Sequence, residues 1–413
     1  MNHVIKNIGQ LVCVRRTGSG LIKGADMAQV ETLNNAWIAV REGRIHAMGN
    51  MVDFPEVEYK DCESIDATGR VVLPGFVDSH THLIFSHSRE EEFVRRLRGE
   101  SYEQIAVAGG GILNSALRIA DVSEDELLAG ALARVDEITA TGTTCIEVKT
   151  GYGLLPEQEL KLLRVAHKLK AAIPHRMRIT LLAAHAIPKQ YHDRREVFMD
   201  RVVEELIPAA AEIGADYVDV FCETGFFTPA ETERVLMAGA QYQMKGRVHA
   251  NELDFSGGIE VGVKCGARSV DHLECVDTPQ IEALLSSDTI PTVLPATALF
   301  LGLKYPPARR MIDAGLGLAL ASDYNPGTCP TGNMGLVLAL ACIGMRMLPE
   351  EALVAATVNG ACALDLEDEL GSLQVGKRAD LLLTAPIESF HRIPYSFGTN
   401  LIDRVMIGGI WVG

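Results

Sequence analysis

The chain has 413 residues, of which 47% are hydrophobic and 22% charged, the balance of a globular protein with a sizeable core. Lys and Arg number 38 against 54 Asp and Glu, so the formal net charge is −16; this argues against nucleic acid, which is bound chiefly by neutralising phosphates, and against an anionic membrane surface. Nine scattered cysteines without a C-x-x-C pair read as reduced thiols of a cytoplasmic protein. No secretory h-region is evident, and the longest apolar run, Met334 to Met345, falls short of the roughly 20 residues a bilayer requires. It predicts a buried helix.

In chain order, the first 70 residues predict short strands broken by Gly, Asn and Asp, as in "AWIAVREGRIHAMG" and "ESIDATGRVVLPG". The last 45 look alike, in "GSLQVGKRADLLLTA" and "NLIDRVMIGGIWVG". Two β-rich ends flanking a different middle predict one small β domain, a sandwich built from residues 1–73 and 369–413. The middle, 74–368, alternates apolar runs with amphipathic stretches. Buried strands are expected to end near Asp78, Glu147, Ala183, Phe221, His249, Asp271, Leu294 and Ser322. Helices are expected over Ser123–Ala140, Pro156–Ala172 and Pro229–Ala240, with cap signals at Ser123/Glu126 and Thr228/Glu231. Eight strand–helix units predict an α/β fold, a (β/α)8 TIM barrel. A doubly wound open sheet is the alternative, but no glycine-rich phosphate loop follows the first strand.

Such barrels carry their chemistry at the C-terminal ends of the strands. After the first strand, "LPGFVDSHTHLIF" places His80 and His82 two apart, on one face. His185 follows the third strand, His249 the fifth, His272 the sixth and Asp323 the eighth. A lone histidine or aspartate at a strand end is ordinarily a hydrogen-bonded structural residue or a turn former. Their joint placement instead points to a divalent metal site, for which imidazole and carboxylate suit Zn²⁺ and Fe²⁺ alike. Glu252, three residues after His249, is placed to act as a general base. Arg89 offers a bidentate fork to an anionic substrate. His87 falls off the two-residue alternation and reads as a loop residue.

"PGFVDSHTHL" resembles the opening motif of the amidohydrolase superfamily. Together with "SREEEFVRRLRGESY", "GGGIL", "TGTTCIEVKTGYGL", "AAHAIP", "HANE", "DHLE" and "SDYNPGTCPT", it resembles the imidazolonepropionase family over nearly the whole chain. The resemblance implies one metal, Zn²⁺ or Fe²⁺/Fe³⁺, held by His80, His82, His249 and Asp323. It implies proton transfer by Glu252, His272 or Asp323. It implies substrate contacts from Arg89, Tyr102, Tyr152, His185, Glu252, Asn325, Gly327 and Thr328. The implied reaction is hydrolysis of a small cyclic amide, 4-imidazolone-5-propanoate, to N-formimidoyl-L-glutamate by a homodimer. Another cyclic amidase or deaminase of the superfamily is the alternative, as is a non-catalytic barrel. Lys149 is a candidate for the carboxylated lysine of two-metal members, but a single metal favours a structural or electrostatic role.

Overall fold

The structure, a computed structural model, describes residues 2–15, 18, 20–100, 104 and 110–412. Two sheets organise it. The first draws on both ends of the chain: β1 (His3–Val12), β2 (Thr32–Arg41), β3 (Arg44–Asn50), β4 (Glu63–Asp66), β5 (Val71–Pro74), β14 (Leu381–Thr384), β15 (Ile402–Ile407) and β16 (Ile410–Val412). Its order is β16-β15-β14-β5-β1-β2-β3, with β4 beside β1. β1 pairs in parallel with β4 and β5, and the other pairs are antiparallel, so the sheet is mixed. Its alternating apolar residues, among them Ile5, Ile8, Ile38, Val72, Leu381 and Met406, share one core.

The second sheet is parallel throughout: β6 (Phe76–Asp78), β7 (Thr143–Lys149), β8 (Arg176–Ala184), β9 (Tyr217–Cys222), β10 (Lys245–Ala250), β11 (Ser269–His272), β12 (Ile290–Val293) and β13 (Ala319–Leu320), neighbours in chain order. The expected strand ends fall within two residues of those observed. Just past β6 and β13 the two edges meet. Thr81 bridges Tyr324, the Asp323 amide donates to the His80 carbonyl at 2.9 Å and the His82 amide to the Tyr324 carbonyl at 2.8 Å. Below them Asp78 accepts from Ser322 N–H and Oγ. The residues that join the edges are thus the neighbours of the predicted ligands, and barrel closure brings the first and last strand ends together.

Gly75 carries the chain from the mixed sheet into the barrel, where a Cβ would overlap the Thr144 side chain. Helices cover the outside of the barrel and pack on one continuous apolar core. Glu124–Ala140, Pro156–Ala172 and Pro229–Gln241 form where the periodicity places them. Met334–Met345 is helical and mostly buried, although Ile343 on it is 67% exposed. Among the described residues no helix is long and apolar enough to cross a membrane. Both expected capping boxes are formed: Ser123 Oγ accepts from Glu126 N–H, and Thr228 Oγ1 from Glu231 N–H. Ser123→Ala therefore leaves a helix-end donor to water alone, and is expected to cost about 1 kcal/mol in urea unfolding. An unchanged midpoint would show that the box does not stabilise this helix.

Candidate active site

The polar strand ends converge on one cavity of about 320 Å³. Its lining includes His82, Arg89, Tyr152, His185, His249, Glu252, His272, Asp323, Asn325 and Thr328, with Phe221, Phe226, Leu301 and Leu303 as apolar wall. His80 lies beneath it, fully buried. Tyr102 lies outside the described residues.

At the floor, Asp323 Oδ1 is 3.5 Å from both His80 Nε2 and His82 Nε2. His249 Nε2 is 3.4 Å from His82 Nε2. Donors bonded at about 2.1 Å to a tetrahedral ion stand about 3.4 Å apart, so these separations fit a single Zn²⁺-sized centre. The chemistry fits as well. Burial, with Lys149 and the other imidazoles nearby, holds His80 well below the ordinary histidine value. Burial and His249 do the same to His82 and His272. Neutral rings present lone pairs, and His80 Nε2 is buried with no hydrogen-bond partner. His80, His249 and His272 form a second grouping of donor atoms close enough for an ion. Asn251, His272 and Asp323 have φ of 55°, 85° and 59°, in the left-handed region that non-glycine residues seldom adopt. Such strain collects at functional strand ends.

The ligand rings are held from behind. His80 Nδ1 is 2.7 Å from Asp271 Oδ2, and His249 Nδ1 is 3.1 Å from Asp219 Oδ2. The N–H that His80 gives to Asp271 at Nδ1 leaves its Nε2 as the lone-pair atom, and the Asp219 charge facing His249 Nδ1 favours the same tautomer there. Thr297 Oγ1 donates to Asp323 Oδ2 at 2.6 Å. None of Asp219, Asp271 or Thr297 was singled out from the sequence. The signal was present for the first two: each is a charged residue inside an apolar strand, as are Glu147 and Arg247.

His185 Nδ1 meets the Gly151 carbonyl at 2.8 Å, and burial pushes the ring down to about 3, so it is neutral with an accepting Nε2. The loop that carries Tyr152 is tied by Glu159, another residue the sequence reading missed. Its buried carboxylate accepts from Gly151, Gly153 and Leu154 N–H groups at 2.8, 2.6 and 2.6 Å. Glu252 lies 3.8 Å from His272 Nδ1; burial, with Asp323 and Glu223 nearby, pushes it up to about 8. Asn325 borders the cavity, but its Oδ1 accepts from Gly327 and Thr328 N–H, and its Nδ2 donates to the Asp323 carbonyl. Its amide thus shapes the turn. His87 is exposed, away from the cavity.

Arg89 gives its Nε and Nη2 to Glu92 Oε2, at 2.9 and 2.5 Å. A Cβ on Gly327 would overlap Arg89 Nη1. Gly327→Ala is therefore expected to displace the guanidinium and raise KM several-fold while the thermal midpoint stays put. A loss of stability with unchanged KM would show that the glycine serves the turn alone.

A parallel eight-stranded barrel with a His and Asp cluster at its strand ends, its donor atoms close enough to hold an ion, is the arrangement of a metal-dependent hydrolase of the amidohydrolase class. The amidohydrolase family description matches residues 246–412 and 63–102. The chain is 46% identical over 407 residues to an imidazolonepropionase of Flavobacterium johnsoniae, covering 98% of each, and 44% identical to that of Christiangramia forsetii, covering 99% of each. The chain belongs to the imidazolonepropionase family. Similar solved structures at 16% identity share the fold. Atrazine chlorohydrolase from Arthrobacter aurescens TC1, complexed with zinc and atraton, has a TM-score of 0.73 and covers 99% of this chain and 94% of its own. Guanine deaminase of E. coli has a TM-score of 0.72, with 100% and 99% covered.

Proposed function

We propose that the chain hydrolyses 4-imidazolone-5-propanoate to N-formimidoyl-L-glutamate, the third step of histidine degradation. The observation that carries this reading is that one cavity is lined both by the metal-binding cluster and by Arg89. A cyclic amide with an anionic tail needs both ends. His80, His82, His249 and Asp323 hold one metal ion, Zn²⁺ or Fe²⁺/Fe³⁺. When bound, such an ion acidifies water toward neutrality and polarises a carbonyl oxygen.

The protein's own groups do the rest. Arg89 receives the propanoate, and Glu92 fixes its orientation. His185 and Tyr152 face the substrate from the same side of the cavity, and the accepting Nε2 of His185 suits a ring N–H. Phe221, Phe226 and Leu303 restrict bulk water. In the reaction, water oxygen bonds to the ring carbonyl carbon and the bond from that carbon to the ring nitrogen breaks. The water proton passes to the departing nitrogen. Glu252 is placed for that transfer, with His272 beside it and Asp323 on the same water-facing side. His272 also stabilises charge developing on the carbonyl oxygen.

The test is hydrolysis of freshly made imidazolone propanoate, followed by loss of its ultraviolet absorbance, with metal assayed in the same sample. Turnover with about one metal per chain is expected for a His₃Asp site. Metal-loaded protein that leaves this compound intact while opening another cyclic amide would overturn the substrate and keep the hydrolase class.

A further inference from the structure

Beneath the ligand histidines lies a fully buried ionic layer that the reaction itself does not use. Its centre is Lys149, at the end of β7 and 0% exposed. Its ammonium is 2.7 Å from Asp219 Oδ2, 2.9 Å from Glu147 Oε1 and 3.7 Å from Asp271 Oδ2. The two aspartate oxygens are the same atoms that face His249 Nδ1 and His80 Nδ1. One cation thus touches the acceptors behind two ligand rings. We propose that Lys149 is a positioning residue for the metal site: it fixes Asp219, and through it the Nδ1–H tautomer of His249, so that Nε2 is presented to the ion. This inference rests on the metal reading of the cluster.

Two features give the role a direction. The support is uneven. Asp271 Oδ2 is also 3.2 Å from Arg247 Nη2, whereas among the described residues Lys149 is the one Lys or Arg within ion-pair distance of Asp219. Lys149 is therefore the cation behind His249, where Asp219 otherwise accepts from Val220 N–H through its other oxygen, and His80 has a second cation in Arg247. The amine is also held as an ammonium. Although burial opposes it, Asp219 and Glu147 raise Lys149 above its ordinary value. Three carboxylate oxygens within 3.7 Å of Nζ suit a positive charge at this position.

The experiment measures the zinc Kd of Lys149→Met by chelator competition. Alongside it, nitrogen-15 histidine spectra of the zinc-loaded protein read the Nδ1–H signals of His80 and His249. Zinc affinity is expected to fall about 10- to 100-fold, the effect typical of a lost partner behind a ligand. The His249 signal is expected to vanish while that of His80 persists. Glu147→Gln touches the ammonium but neither ring, and is expected to leave both signals in place. If Lys149→Met does not fold, Lys149→Gln, which keeps a polar side chain of similar length without the charge, asks the same question and is expected to lose the His249 signal alone. Wild-type affinity in the folded variant, or simultaneous loss of both ring signals, would overturn the proposal. A wild-type protein that binds no zinc would instead overturn the metal reading beneath it.

Discussion

Replacing Arg89 by alanine is expected to raise KM for imidazolone propanoate by about 30-fold or more, since truncating one partner of a desolvated charge pair costs about 2–5 kcal/mol. The propanoate is an anion entering a chain of net charge −16. The carboxyl groups of Glu252 and Asp323 already line the cavity it enters. Arg89 is the cation of that lining, its side chain 8% exposed and its Nε–Nη2 edge fixed by Glu92. Removing it leaves two anions, the substrate tail and Glu92, facing each other with little water to screen them. The reacting bond lies away from the tail, so kcat is expected to fall less than kcat/KM. It still falls, because tail binding orients the ring. Arg89→Lys keeps the charge without the fork and is expected to fall between the two. Steady-state kinetics decide the matter. A KM within a few-fold of wild type would place the tail elsewhere in the cavity.

Replacing His249 by alanine is expected to lower kcat/KM by about 10³-fold or more, because the ion's contribution to charge stabilisation amounts to several kcal/mol. His249 Nε2 stands 3.4 Å from His82 Nε2 at the centre of the cluster. Without it the remaining donors leave one face open, and Asp219 loses the ring it faces. Metal content, measured on the purified variant, is expected to fall with activity. Chelation of wild type should reproduce the loss, and added Zn²⁺ or Fe²⁺ should restore it. The thermal midpoint should rise with added zinc in wild type but not in the variant, since an ion that binds only the folded state stabilises it by mass action. A variant with a full complement of metal and wild-type turnover would remove His249 from the site.

Much of this molecule is readable from its residues in order. The helix caps at Ser123 and Thr228 depend on neighbours three residues away, so local spacing was sufficient. The strand ends of the barrel were legible because apolar runs stop where polar residues begin. The pair His80 and His82 announced a shared face through the two-residue period of a strand. The partners of those residues were less legible. Asp219, Lys149, Arg247 and Asp271 were visible as charges inside apolar strands, but nothing in the sequence said which would meet which. Glu159 looked like any helical glutamate until its carboxylate proved to hold the loop of Tyr152.

The sequence by itself determined the barrel, the order of its strands and the residue types at their ends, because period, capping and turn chemistry act over a few residues. The tertiary structure alone decided that Asp219 stands behind His249, that Asp271 stands behind His80 and that Lys149 touches both carboxylates. Alternation tells which face a side chain shares, but not what lies across the barrel. That depends on register and closure, which bring residues 30 to 191 positions apart to within 4 Å.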